Sequence, residues 1–133
     1  NEAHWQAYHS IRRHVLYELR GRNGYDDNHP DEHLERNTPL LFLWNGRPVG
    51  AVRLDQDNGN ALGIVRLVAV LPENQRRGIG TAMIEAVEAF ATTKGMKRLK
   101  TQAANDAVIF YEKLGWHVID TRERNTLMIK DLA

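Results

Sequence analysis

Residues 72–83 read PENQRRGIGTAM, and they hold the densest chemical signal in the chain. Two cations, Arg76 and Arg77, run into Gly78-Ile79-Gly80, and an apolar run, LGIVRLVAVL, ends just before at residue 71. Such a run reads as a strand covered on both faces. The chain then turns through Gln75-Arg76-Arg77-Gly78, and a helix opens near Gly80. The first N–H groups of a helix lack intrahelical partners and carry the positive end of its dipole. Glycines let that backbone close on a phosphate, and the arginines add charge. A phosphate-binding loop and a plain strand-to-helix turn with solvated arginines both fit these residues.

Residue identity excludes the common nucleotide loops. A P-loop needs Lys-Ser or Lys-Thr after its last glycine, where this chain has Thr81-Ala82. A dinucleotide fingerprint needs a third glycine where Met83 stands, and an acid further on where Lys97–Lys100 lies. The 133 residues contain no cysteine, which removes disulfides, thiolate metal sites and a cysteine nucleophile together. Group transfer must then use another nucleophile or have the substrate attack directly. Six histidines are present, at 4, 9, 14, 29, 33 and 117. His29 and His33 have the i, i+4 spacing of shared ligands, but no His-Glu-x-x-His and no third ligand accompany them, so no metal is expected. Trp5, Trp44 and Trp116 read as core or rim aromatics.

The elements that must position this loop follow from periodicity. Tyr8, Ile11, Val15 and Leu19 mark one helix face over 5–20, ended by Gly21 and Gly24. The polar stretch 25–38 reads as a loop with a turn of helix after Pro30. Two apolar runs flank Asn45-Gly46 over 40–55, a type I′ hairpin. Asp57-Asn58-Gly59-Asn60 is a second turn. Ile79, Met83, Val87, Phe90 and Ala91 mark a helix to about Lys94, closed by Gly95. A strand over 97–104, a short helix over 106–114 capped by Asn105, and strands over 116–121 and 125–130 complete the order. The strand–helix–strand unit at 62–104 predicts a parallel pair within a mixed α/β (α+β) sheet, in one domain over 1–133. A net charge of +1 gives no general attraction to nucleic acid or membrane, and no apolar run approaches the length of a bilayer span. The composition and the lack of cysteine fit a soluble, cytoplasmic protein.

Three features together carry a family resemblance. VRLVAVLPENQRRGIGTAM resembles the acetyl-CoA signature of the GNAT (GCN5-related N-acetyltransferase) superfamily, V-x-P-x-x-[Q/R]-x-x-G-x-[G/A], read here from Val70 to Gly80. NDAVIFYEKLGW (105–116) is similar to the family's Asn-x-x-Ala/Val-x-x-Phe-Tyr-x-Lys-x-Gly-Phe/Trp segment. The element order between residues 5 and 130 is the third. One departure concerns the strand that usually precedes the family's first helix: Asn1 stands almost at the helix start, so that strand is missing, very short or cut off.

The resemblance implies a strongly twisted sheet with helices on both faces and a V-shaped splay between strands 62–71 and 97–104. It implies acetyl-CoA as cosubstrate, its pantetheine along Val68, Ala69 and Val70 and its pyrophosphate on the loop Gln75, Arg76, Arg77, Gly78, Ile79, Gly80 and Thr81. An amine would attack the thioester directly in a ternary complex. The N–H of Val70 would face the oxyanion, and Tyr111 would protonate the leaving thiolate. Ala107, Phe110 and Leu114 make a core face, which turns Tyr111 away from the core. Asn105 caps its helix or bonds the pantetheine; Lys113 meets the 3′-phosphate or is solvated. Arg66 stands on a strand position where some relatives place an acid, and it stays protonated, so no general base is legible. Asp26, Asp27, His29, Asp31, Glu32 and Glu35 form an acidic rim for a cationic amine or a solvated loop. The acceptor, a small-molecule or peptide amine, is unassigned, and the resemblance admits a homodimer. A domain of this fold that binds acyl-CoA without transfer is the alternative.

Overall fold

In the computed structural model, which describes residues 1–57, 61–75, 78–122 and 124–132, three helices flank a six-stranded sheet. The helices are α1 (Glu2–Arg12), α2 (Ile79–Thr93) and α3 (Val108–Lys113). The strands are β1 (Asn37–Trp44), β2 (Arg47–Gln56), β3 (Leu62–Val70), β4 (Arg98–Ala103), β5 (His117–Asp120) and β6 (Thr126–Asp131), in spatial order β1-β2-β3-β4-β6-β5. β3 and β4 run parallel and the other neighbours antiparallel. The expected turn residues Asn58, Gly59 and Asn60 and the two loop arginines, Arg76 and Arg77, lie outside the described residues. No helix among the described residues is long and apolar enough to cross a membrane.

Local chemistry accounts for most of these elements. Asn45 (φ 53°) and Gly46 (φ 78°) both take positive φ, as the type I′ turn between β1 and β2 requires. Gly95 (φ 81°) ends α2. The two faces of β2 alternate into separate cores. Val52 and Leu54 meet Val65, Ile84, Val87 and Leu99 on the α2 side, together with Trp116 and Met128. Ala51 and Ala69 meet Tyr8, Ile11 and Leu16 on the α1 side.

The first helix departs from its expected phase. α1 stops at Arg12, and a π-helical turn (Arg13–Tyr17) and a 3₁₀ turn (Glu18–Arg20) follow. A π turn adds one residue per turn. The inward position therefore passes from Val15 to Leu16, which is buried, and Leu19 is left 55% exposed.

Candidate functional site: a splayed strand pair

β3 and β4 pair only from Leu62–Arg98 to Val65–Thr101. Beyond that point β4 stays with β6, out to Ala103–Thr126, and β3 stays with β2, out to Val70–Gly50. The pair therefore opens into a V with its vertex at Val65 and Thr101. A bulge in β3 lies just past the vertex. Arg53 faces Arg66 and Ala51 faces Ala69, so Leu67 and Val68 together stand against Val52. Leu67 takes φ 57°, a left-handed conformation that costs a non-glycine residue roughly 1–2 kcal/mol.

The edge of β3 along this opening has its polar groups turned outward. The Leu71 N–H donates to the Val49 carbonyl at 2.9 Å, so Leu71 points its N–H at β2. By the alternation of an antiparallel ladder, Val70 points its N–H and C=O the other way, into the V, and Val68 does the same two residues earlier. The Gln75 side-chain amide donates to the Val70 carbonyl at 2.9 Å and ties the following loop to the strand end.

That loop delivers the α2 N-terminus. Gly78, at φ 78°, precedes the helix, and the Ala82 N–H donates to its carbonyl at 3.0 Å. The N–H groups of Ile79, Gly80 and Thr81 therefore stand ahead of the helical ladder. The two glycines differ in what they provide. A Cβ on Gly78 would meet nothing within 4 Å, so its value is the positive φ. A Cβ on Gly80 would stand 3.5 Å from Phe110 of α3, so α2 and α3 abut there.

Tyr111 lies elsewhere than the helical spacing implied. It is 4% exposed, inside the main core, in edge contact with Phe110 and Trp116. The expected core residues Ala107, Phe110 and Leu114 only pack on that core's margin. The reason is that α3 begins at Val108 after a 3₁₀ turn (Asn105–Ala107), which rotates its inward face. Burial pushes the Tyr111 phenol up to about 12, partly countered by the nearby Thr101 hydroxyl. Thr101 is the last residue of β4 paired with β3, and its hydroxyl donates to the Val65 carbonyl at 2.8 Å. The Tyr111 hydroxyl therefore sits at the vertex. Asn105 does not cap: Ala104 occupies the cap position, with no side-chain cap bond, and Asn105 Oδ1 accepts from Thr126 at 3.4 Å. Lys113 is exposed at the end of α3.

The opposite face of the vertex carries buried charge that the sequence reading missed. Glu32 is not part of a solvated acidic loop. It is 3% exposed, paired with Arg12 and with Arg53 (3.4 Å), and accepts from the Tyr8 hydroxyl at 3.2 Å. Arg53 also grips Asp55 with two nitrogens, at 2.7 and 2.9 Å, and Arg66 Nε adds 3.0 Å. Arg53 and Asp55 alternate with Val52 and Leu54, so strand periodicity alone could have placed them on the face away from α2. Nothing local marks Glu32. A cavity of about 330 Å3 adjoins this network, and a groove of about 910 Å3 runs along α1 past Trp5, His9, Asp27 and His33. His29 and His33 fall on a 3₁₀ turn, where residues four apart do not share a face. His29 accepts the Asp31 N–H at 3.1 Å, and His33 pairs with Asn28 at 3.2 Å. Trp116 is core, while Trp5 and Trp44 lie at the rim.

A mixed sheet opened beside a helix N-terminus, with a tyrosine hydroxyl at the opening, defines an α/β domain built around a splayed strand. The chain belongs to the acetyltransferase (GNAT) family, whose family model matches residues 5–116. A Bacillus subtilis (strain 168) protein, the uncharacterized N-acetyltransferase YjcF, is 29% identical over 93 residues, 69% of this chain and 65% of that protein. The chain thus spans less than two thirds of that relative's length. An acetyltransferase of the GNAT family from Staphylococcus aureus Mu50 superposes with a TM-score of 0.80 at 15% identity, covering 100% of this chain and 96% of that one. The PaiA N-acetyltransferase from Thermoplasma acidophilum, solved in complex with coenzyme A, superposes with a TM-score of 0.64 at 19% identity, covering 72% of this chain and 61% of that one. These structural likenesses carry the fold.

Proposed function

We propose that the chain transfers an acetyl group from acetyl-CoA to a primary amine by direct attack within a ternary complex. The observation that carries this reading is a single opening with an outward-facing strand edge along one side, a helix N-terminus beyond the end of that strand and Tyr111 beside Thr101 at its vertex. Acetyl-CoA supplies the thioester. The residues present fit it. Val68 and Val70 offer main-chain groups to the pantetheine amides, with Ala69 between them, and Ile79, Gly80 and Thr81 offer N–H groups to the pyrophosphate. Gln75 holds the loop against Val70, and Asn105 and Lys113 join this reading through the family-like motif they occupy. Arg76 and Arg77 add cations to the loop by sequence.

In the transfer, the amine nitrogen forms a bond to the acetyl carbon as the carbon–sulfur bond breaks. The Val70 N–H faces the developing oxyanion, with Val68 the other inward-facing donor on this strand. Tyr111 gives its proton to the departing sulfur, which suits a phenol that burial keeps protonated at neutral pH. The amine's own proton leaves to water in the cleft. A cytoplasmic location belongs to this reading.

The test is a melting-temperature shift with acetyl-CoA set against ATP and NAD, followed by thiol release across a panel of amines. A ligand that binds only the folded chain must stabilise it. Stabilisation by acetyl-CoA alone, with amine-dependent thiol release, is the expected result; equal shifts by all three ligands would defeat the proposal. A domain that binds acyl-CoA without transfer is the second reading, favoured by one observation: Asp55, beside the vertex on β2, is held in ion pairs by two arginines. Tight acetyl-CoA binding with no turnover on any amine would select it.

A further inference from the structure

β4 turns one row of buried side chains to the α2 and α3 side, Leu99, Thr101 and Ala103, and these alternate with Arg98, Lys100 and Gln102. Leu99 and Ala103 pack in the cluster that holds Tyr111, beside Val65, Trp116 and Met128. Thr101 sets a hydroxyl in the middle of this apolar row. A hydroxyl buried among hydrocarbon costs free energy unless it is bonded, and valine has nearly the same shape without that cost. The bonds made by the oxygen are therefore what distinguishes threonine from valine here.

A hydroxyl has one hydrogen to give and two lone pairs with which to accept. The Thr101 hydrogen goes to the Val65 carbonyl at 2.8 Å, across the last β3–β4 pair. The lone pairs remain, and the Tyr111 hydroxyl lies beside them. Edge contacts with Phe110 and Trp116, each at 5.2 Å between ring centroids, hold the Tyr111 ring in place. The Trp116 N–H goes to Glu88 at 3.2 Å and does not serve the phenol. Thr101 is thus bonded to the strand that opens and adjacent to the group that carries the proton. In the resting chain it can accept the phenol hydrogen. Once that hydrogen has left, the buried phenolate needs a donor, and the Thr101 hydroxyl can turn to supply one.

We propose that Thr101 is a positioning residue for Tyr111, its hydroxyl fixing the phenol oxygen at the vertex and donating to that oxygen after the phenol proton has gone to the departing sulfur. This rests on the acetyl-transfer reading above. In the step, the Tyr111 O–H bond breaks, an S–H bond forms, and the electron pair stays on the phenol oxygen. No covalent bond breaks at Thr101, whose O–H turns from the Val65 carbonyl to the phenolate. Water returns a proton to Tyr111 after the product leaves.

Thr101→Val keeps the shape and removes the hydroxyl, while Thr101→Ser keeps the hydroxyl. A hydrogen bond to a charged group sets the scale of the effect. Single-turnover acetyl transfer should fall about tenfold in Thr101→Val, with acetyl-CoA affinity within about twofold of the parent's. Thr101→Ser should recover most of the rate. In a Tyr111→Phe background, Thr101→Val should cost less than about twofold more, because the group it serves is gone. A vertex that merely loosens would weaken acetyl-CoA binding and slow both backgrounds alike, and that result would overturn the proposal. A Thr101→Val rate equal to the parent's would overturn it as well. A second measurement uses the parent chain and needs neither turnover nor a folded valine variant. Nuclear Overhauser contacts should join the Thr101 side chain to the Tyr111 ring protons next to the hydroxyl, and their absence would end the proposal. Those contacts in a chain that releases no thiol from acetyl-CoA with any amine would instead sink the acetyl-transfer reading. Thr101 would then lose its role in the step and keep its place beside Tyr111.

Discussion

Replacing Glu32 by glutamine should destabilise the fold more than its place in a polar loop suggests. The carboxylate is almost wholly buried and serves Arg12, Arg53 and the Tyr8 hydroxyl at once. Glutamine keeps the shape and removes the charge. Arg53 then still has its two-nitrogen grip on Asp55, but Arg12 loses its anion while its Nε already lacks a partner. Breaking a buried pair from one side costs about 3–5 kcal/mol. Because Arg53 remains paired, the lower end applies, about 3 kcal/mol. For a chain of this size that is a fall of about 10 °C in Tm. In urea it is a fall of about 2 M in midpoint at a slope of about 1.5 kcal/mol/M.

The assay is urea unfolding followed by far-ultraviolet circular dichroism, with slopes compared between variants. The double replacement Arg12→Met, Glu32→Leu supplies the contrast. It removes both charges and keeps apolar stems against Tyr8, over whose ring Arg12 now lies at 4.9 Å. Removing a buried pair entirely is often close to neutral. The double variant should therefore recover at least half of the loss. A Glu32→Gln midpoint within about 0.5 kcal/mol of the parent would refute the reasoning, because surface substitutions fall in that range. A double variant no more stable than Glu32→Gln would refute it too.

Tyr111→Phe should lower turnover about a hundredfold while acetyl-CoA affinity holds, since it removes a proton donor and keeps the core ring; unchanged single-turnover rates would remove Tyr111 from the mechanism. Gly80→Val sets a branched side chain against Phe110 in the first turn of α2, and Gly78→Val forces a branched residue to positive φ, so both should weaken acetyl-CoA binding in calorimetry. Affinity equal to the parent's in both variants would mean that the α2 N-terminus does not hold the cosubstrate. Burial raises the phenols of Tyr8, Tyr25 and Tyr111, the last two to about 12, so the folded chain holds these protons more tightly than the unfolded one. Their stabilisation is full below pH about 10 and is lost as pH rises toward 12. Urea midpoints measured across that window should fall, and tyrosinate absorbance rising near pH 10 with the fold intact would contradict it.

How far the sequence could carry these conclusions depends on which contacts set each feature. The β1–β2 turn, the α2 boundaries and the parallel β3–β4 pair rest on neighbours in the chain, and each was legible as glycine, asparagine or apolar spacing. Leu67 shows the opposite case. A leucine at positive φ has no local mark, and only the register between β2 and β3 demands it. Yet that bulge keeps Val65 and Val68 on the α2 side while Arg66 and Ala69 face α1. The π turn after Arg12 acts in the same way, moving the inward position to Leu16 by one extra residue. Tyr111 was legible as a residue and not as a direction, because the 3₁₀ turn before α3 sets which side of the helix faces Thr101. Glu32 was legible in neither respect, since its partners are 20 or more residues away in the chain. The cosubstrate half of the candidate site is built from main-chain groups on elements that local spacing specifies, and the motif reports it. The buried charge network is built from side chains that meet only through tertiary packing, so no motif could name Arg12, Glu32 and Arg53 as neighbours.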